Sequence, residues 1–286
     1  MSSITLMILI IFGLLGGLLV NYLSDFLPFR RRLARPFCLS CEAPLTWQDY
    51  LIGWRKCPAC GHRHPWRTGF VDLAYLVIAV LLWRYPPQVL GAWLGLVVLV
   101  YFGVVVVIDM EHRLILHPVS WFGAGLGLVT GSWLRAHYYA SQGAVEDKSA
   151  GFQLLGLGTE AWMKGLGASL LGGVVGFCIM WVLYSLGDRL VRDMARRRGQ
   201  PTDEVALGFG DVNLSGVLGL MLGWPVIILG LFIAIFIGGI VSLLYLVFML
   251  IIRRYHLFTA LPYGPYLVAG AVLLLYFSGL VTSLLK

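Results

Sequence analysis

Eight apolar runs dominate the 286-residue chain, at Ile4–Leu23, Phe70–Trp83, Val89–Ile108, Leu114–Leu134, Ala161–Gly187, Leu207–Leu222, Pro225–Ile252 and Leu261–Leu285. A helix of about 20 apolar residues crosses the roughly 30 Å hydrocarbon layer of a bilayer. Only 12% of the side chains are charged and 59% are hydrophobic, whereas a soluble domain carries about 25% charge. Water-soluble, secreted and fibrous classes are therefore excluded. The sequence predicts an all-α polytopic membrane protein of about eight transmembrane helices. The second and sixth runs are short, and Gly223-Trp224-Pro225 separates the sixth from the seventh because proline cannot extend a helix. The first run has no small-residue cleavage motif and reads as a retained anchor rather than a signal peptide.

Charge orients the chain. Eight crossings place residues 24–69, 109–113, 188–206 and 253–260 on one side, and these hold 16 of the 21 Lys+Arg. Basic loops stay cytoplasmic, so both termini are expected on the opposite face, together with a loop over 135–160. In a membrane protein the net charge of +7 points to such loops and to anionic lipid head groups, not to nucleic acid. Arg30, Arg31, Arg32 and Arg35 beyond the first run fit a lipid contact or a plain topology signal.

Between the first two runs, Cys38-Leu-Ser-Cys41 and Cys57-Pro-Ala-Cys60 form two Cys-x-x-Cys knuckles with 15 residues between them. Four thiolates at this spacing converge tetrahedrally on one zinc, and with all four ligands supplied by the protein such a site is structural. Two disulfides are the alternative, disfavoured in a reducing cytoplasm. His62 and His64 are expected to be solvated or to support the ligands, and Cys178, inside an apolar run, to be buried packing. A domain of about 45 residues has too little core to fold alone and is expected to unfold without metal. The predicted organisation is a first helix over 1–27, a cytoplasmic zinc-binding domain over 28–69 and a seven-helix core over 70–286.

Carboxylates at membrane depth are expensive, which singles out Asp109, Asp211 and Asp72. Asp109 ends the run Val104–Ile108, and Asp211 follows Gly208-Phe209-Gly210 at the start of the sixth run. Topology puts both at the cytoplasmic boundary, where two facing carboxylates share one proton and act as acid and base on water. The bland reading of each is an interfacial residue, and it suits Asp72, near Arg67, best. Gly208 and Gly210 let another backbone approach the carboxylate. Pro262-Tyr263-Gly264-Pro265 either lines a cavity where an extended peptide adds as a strand or simply starts a helix with proline in its first turn.

Taken together these segments resemble the bacterial type IV prepilin peptidases, membrane aspartic proteases with a Gly-x-Gly-Asp motif, over nearly the whole chain. The residues that carry the resemblance are Ile108-Asp109-Met110-Glu111-His112, Gly208-Phe209-Gly210-Asp211-Val212-Asn213-Leu214, Pro262-Tyr263-Gly264-Pro265-Tyr266-Leu267 and the two cysteine pairs. Three positions depart from the family pattern: Leu116-His117 where Pro-Asp is usual, Asn213 where lysine is common, and Gly16-Gly17-Leu18-Leu19-Val20-Asn21 near the N-terminus.

The resemblance implies catalysis by Asp109 and Asp211 and cleavage of the basic leader of prepilins and pseudopilins after glycine at the cytoplasmic face. It also implies N-methylation of the new terminus from S-adenosylmethionine. Gly208, Gly210, Pro262, Gly264 and Pro265 are then expected to hold the leader extended, in a protein of the bacterial inner membrane. A presenilin-like protease, a proton-coupled transporter and a non-catalytic zinc scaffold are the competing classes. The cysteine insert, the placement of the aspartates at span ends and the paired acids argue against them in turn.

Overall fold

A computed structural model describes residues 3–30, 35–51, 56–62, 65–141, 157–198, 207–252 and 262–277. Residues 142–156 of the expected external loop lie outside that set, as do Arg31, Arg32 and His64. Among the described residues the protein is helical, its one β pairing an isolated bridge between Phe37 and Pro44. The helices are α1 (Ser3–Arg30), α2 (Trp47–Leu51), α3 (Trp66–Arg84), α4 (Gly91–His112), α5 (His117–Ser141), α6 (Thr159–Arg198), α7 (Phe209–Leu222), α8 (Val226–Ile251) and α9 (Gly264–Tyr276).

All but α2 fall on the eight apolar runs. By length and composition α1, α3, α4, α6 and α8 are able to cross a membrane. α5 has the length but carries Arg135 and two histidines, and α7 and α9 are apolar but only 14 and 13 residues long. The chain is a multi-pass helical membrane protein.

Packing divides the chain into two compact units, Met1–His112 and Arg113–Lys286. In the first, α1 packs on α3 and α4. A Cβ at Gly13 would stand 2.8 Å from the Tyr75 carbonyl oxygen, so glycine is what lets α1 and α3 approach this closely. Asn21 of α1 donates Nδ2 to the Thr68 carbonyl at 3.1 Å and to Asp72 Oδ1 at 3.0 Å. Asp72 is thus bonded to Asn21, and Arg67 pairs with Asp25 and Glu111 instead.

In the second unit α7 is the central element, packed on α5, α6, α8 and α9. Its neighbours come close through glycine. A Cβ at Gly131 would overlap the Leu220 carbonyl oxygen, and one at Gly176 would stand 2.5 Å from that of Ser215. Two hydroxyls tie the helices across these seams: Ser169 Oγ donates to Leu220 O at 2.7 Å and Ser215 Oγ to Gly176 O at 3.2 Å.

Two expectations need correction. Arg135, placed by hydropathy in an external loop, is inside α5 and 7% exposed. The helix runs on to Ser141, and the guanidinium is buried because it finds the Leu222 carbonyl as acceptor at the end of α7. Cys178 is exposed on α6, since in a membrane helix an apolar position faces lipid as readily as protein.

Candidate active site and metal centre

The two cysteine knuckles fold alike. Glu42 N donates to Cys38 O and Gly61 N to Cys57 O, each at 2.8 Å. Cys38 N bonds Ala43 O and Cys57 N bonds His62 O, again at 2.8 Å. Each turn closes with a residue in the left-handed region, Glu42 at φ 57° and Gly61 at φ 70°.

All four Sγ atoms lie within 4.8 Å of one another. Cys38–Cys60 and Cys41–Cys57 are separated by 3.6 and 3.7 Å, close to the roughly 3.8 Å edge of a tetrahedron with Zn–S bonds of about 2.3 Å. The cysteines are free thiols, not disulfides. Amides of Cys60 and Ala59 lower the Cys57 thiol to about 7. Cys60, although the His62 amide donates to it, is pushed up to about 12 by the neighbouring thiol of Cys41, by burial, and by the thiols of Cys38 and Cys57. Four sulfurs brought this close are a donor set that zinc takes as thiolates. The site therefore fits zinc. His62 is exposed and meets the knuckle through its backbone, its carbonyl accepting from Cys57 N and its amide donating to Cys60.

The insert is seated on α1 by aromatic rings. Phe26 lies 4.9 Å from Phe37 and 5.3 Å from Tyr50, and Tyr22 lies 5.3 Å from Trp47. Its helix α2 is N-capped by Thr46: Asp49 N donates to Thr46 Oγ1 at 3.2 Å, and that hydroxyl donates to Asp49 Oδ2 at 2.6 Å. Burial and the Asp25 carboxylate raise the Tyr50 hydroxyl far above its ordinary range, so it donates to Asp25 Oδ2 at 2.7 Å.

Asp109 lies in the last turn of α4, which ends at His112 before the left-handed Arg113. Asp211 lies in the first turn of α7, where its amide donates to Gly208 O at 3.0 Å. Both are buried, at 4% and 7% exposure. The helix dipole favours negative charge at the Asp211 position and opposes it at the Asp109 position.

A Cβ at Gly210 would meet that of Ile115 at 2.9 Å, so glycine lets the segment before α5 pass beside Asp211. Pro265 enters the first turn of α9, which is capped by Tyr263. Tyr263 also stands within electrostatic reach of Asp211. Sequence reasoning named Pro262, Gly264 and Pro265 and passed over this tyrosine, although it is the one side chain in the segment with a polar tip.

Residues 96–243, just over half of the chain, match the type IV leader peptidase family. The chain belongs to that family. Prepilin leader peptidase/N-methyltransferases are similar to this type IV leader peptidase at full-chain scale. The protein of Pseudomonas putida is 27% identical over 93% of this chain and 88% of its own length. Those of Aeromonas hydrophila (25%; 87% and 74%) and Pseudomonas aeruginosa (26%; 93% and 89%) are comparable. No solved structure gives a match. As a type IV leader peptidase the protein is a membrane protease, and both aspartates fall inside the matched segment.

Proposed function

We propose that this protease removes the basic leader of type IV prepilins or pseudopilins by cutting after glycine at the cytoplasmic face of the bacterial inner membrane. Asp109 and Asp211 form its catalytic pair. The observation that carries this reading is the presence of both aspartate motifs within the family segment of a chain similar, over most of its length, to proteins named for prepilin processing.

In this mechanism the pair shares one proton. Asp211, at a helix N-terminus, is the ionised partner that takes a proton from water as it attacks the scissile carbonyl. Asp109, at a helix C-terminus, holds the shared proton and gives it to the carbonyl oxygen. The nitrogen leaves with the proton taken from water. Gly208, Gly210, Pro262, Gly264 and Pro265 keep the leader extended across the carboxylates. Cys38, Cys41, Cys57 and Cys60 hold a structural zinc that fixes the insert.

The names of the relatives extend the proposal to N-methylation of the exposed amine, for which S-adenosylmethionine supplies the methyl group. The described residues contain no strand followed by a glycine-rich turn, the usual nucleotide cradle, and no residue is assigned to that donor.

The test is intact-mass spectrometry of a prepilin co-expressed with the protein. Leader loss plus one methyl group is expected, and Asp109→Asn and Asp211→Asn each abolish the cut while the protein stays folded. Substantial cleavage by either variant rejects the pair.

A further inference from the structure

Two carboxylates from different helices converge on one guanidinium beneath the insert. Arg67, in the first turn of α3, pairs with Asp25 of α1 and with Glu111 of α4. The Asp25 side chain is 2% exposed, Arg67 14% and Glu111 38%. The second oxygen of Asp25 is occupied by the Tyr50 hydroxyl at 2.7 Å. Tyr50 belongs to α2, between the two cysteine pairs, and Glu111 lies two residues beyond Asp109 in the last turn of α4. An unbroken chain of polar contacts, Tyr50–Asp25–Arg67–Glu111, thus runs from the metal-binding insert to the helix end that carries a candidate catalytic carboxylate.

We infer that Arg67 is a positioning residue that couples the state of the metal-binding insert to the placement of Asp109. This rests on the reading of Asp109 as catalytic. The guanidinium presents its donors in a rigid plane, so two carboxylates bound to it are held at a fixed angle, which a lysine ammonium does not impose. Asp25 is too deeply buried to exchange Arg67 for water, and this makes the joint between α1 and α3 stiff. Glu111, the exposed end, transmits that stiffness to the last turn of α4. A metal that orders the knuckles fixes α2, and Tyr50 then holds Asp25 and Arg67 in register. Loss of the metal loosens the knuckles that flank α2 and so weakens the hold of Tyr50 on Asp25, leaving Arg67 with its two carboxylates but without a fixed link to the insert.

The experiment uses the full chain in lipid nanodiscs. Steady-state cleavage of a purified prepilin is measured for the parent, Arg67→Ala, Arg67→Lys, Glu111→Ala and Asp109→Asn, each before and after treatment with a zinc chelator. Zinc content and hydrogen exchange over residues 105–112 are followed in parallel. Because a displacement of about 1 Å is able to cost roughly a hundredfold in rate, Arg67→Ala is expected to lower kcat by up to that factor, with KM and zinc content unchanged. Arg67→Lys restores only part of it.

Chelation lowers kcat of the parent and speeds its exchange over 105–112, but changes neither further in Arg67→Ala. A parental kcat for Arg67→Ala, or chelator and substitution effects that multiply, overturns the inference. If Arg67→Ala does not fold, Glu111→Ala carries the same test: kcat falls with zinc retained, and an unchanged kcat is the overturning result. Cleavage by Asp109→Asn rejects the catalytic reading instead, and the exchange data then still decide whether insert and helix end are coupled.

Discussion

Arg135 donates from Nε at 3.0 Å and from a terminal guanidinium nitrogen at 2.7 Å to the carbonyl oxygen of Leu222. Leu222 is the last residue of α7, and Asp211 is in the first turn of the same helix. Positive charge at the C-terminus and a carboxylate near the N-terminus both complement the helix dipole. Arg135→Met removes the donors and leaves a buried carbonyl unpaired, so a loss of about 2–3 kcal/mol is expected. Arg135→Lys keeps the charge and loses less. Thermal unfolding in detergent micelles measures both, and an unchanged midpoint for Arg135→Met would show that the cap contributes nothing.

The seams around α7 allow no side chain. Gly131→Ala would drive a methyl into the Leu220 carbonyl and Gly219→Ala one into that of Gly172, and overpacking of this kind costs about 1–3 kcal/mol. A methyl at Gly125 or Gly167, which are also helical, would meet nothing within 4 Å. Alanine there is expected to be neutral or mildly stabilising. Equal effects at all four sites, by the same unfolding assay, would refute the packing argument.

In the knuckles Glu42 occupies a left-handed conformation that glycine adopts without strain, and Gly61 fills the equivalent place in the second turn. Glu42→Gly is expected to tighten the insert by about 1 kcal/mol, and Gly61→Ala, which meets no atom within 4 Å, to weaken it by a similar amount through the backbone alone. Chelator concentrations needed to strip half of the metal should shift in opposite directions for the two variants.

Metal retention should fall as the pH is lowered. Cys57 moves from an ordinary 9.0 to about 7, so its ionisation stabilises the folded insert in full above about 9. That contribution disappears as pH falls through about 7. Metal binding follows the same sign, because each ligand must shed its proton. Zinc retained after dialysis at pH 8 should be largely released at pH 5, and retention at pH 5 equal to that at pH 8 contradicts the four-thiolate site. The aromatic seat of Phe26, Phe37 and Tyr50 on α1 is apolar and does not titrate in this range, so loss of metal should loosen the knuckles before it frees α2.

Hydropathy alone located the eight apolar helices, because burying backbone polar groups in lipid leaves a helix as the available choice. It placed their ends less well. α4 continues past Ile108 to His112, which puts Asp109 inside a helical turn and not after it. The metal cluster was legible because its four ligands come as two local repeats. Arg67 was not, for its partners stand at positions 25 and 111 and meet it only once α1, α3 and α4 have packed. Arg135 was misread for a related reason: a lone cation beside an apolar run looks like a loop residue until the carbonyls it caps, some 87 positions later, are brought to it.

The 40 residues of α6 have one further consequence. At about 1.5 Å per residue they make a rod of roughly 60 Å, twice the hydrocarbon thickness. Even at a tilt of about 40°, the upper end of the usual range, such a rod rises about 46 Å along the bilayer normal. It therefore has to stand clear of the oily layer as a stalk, with Asp188 and Arg192 paired along its side and Arg189 and Arg196 beside them. A protease built this way carries the charged end of α6 past the hydrocarbon, to the level of the lipid head groups or beyond.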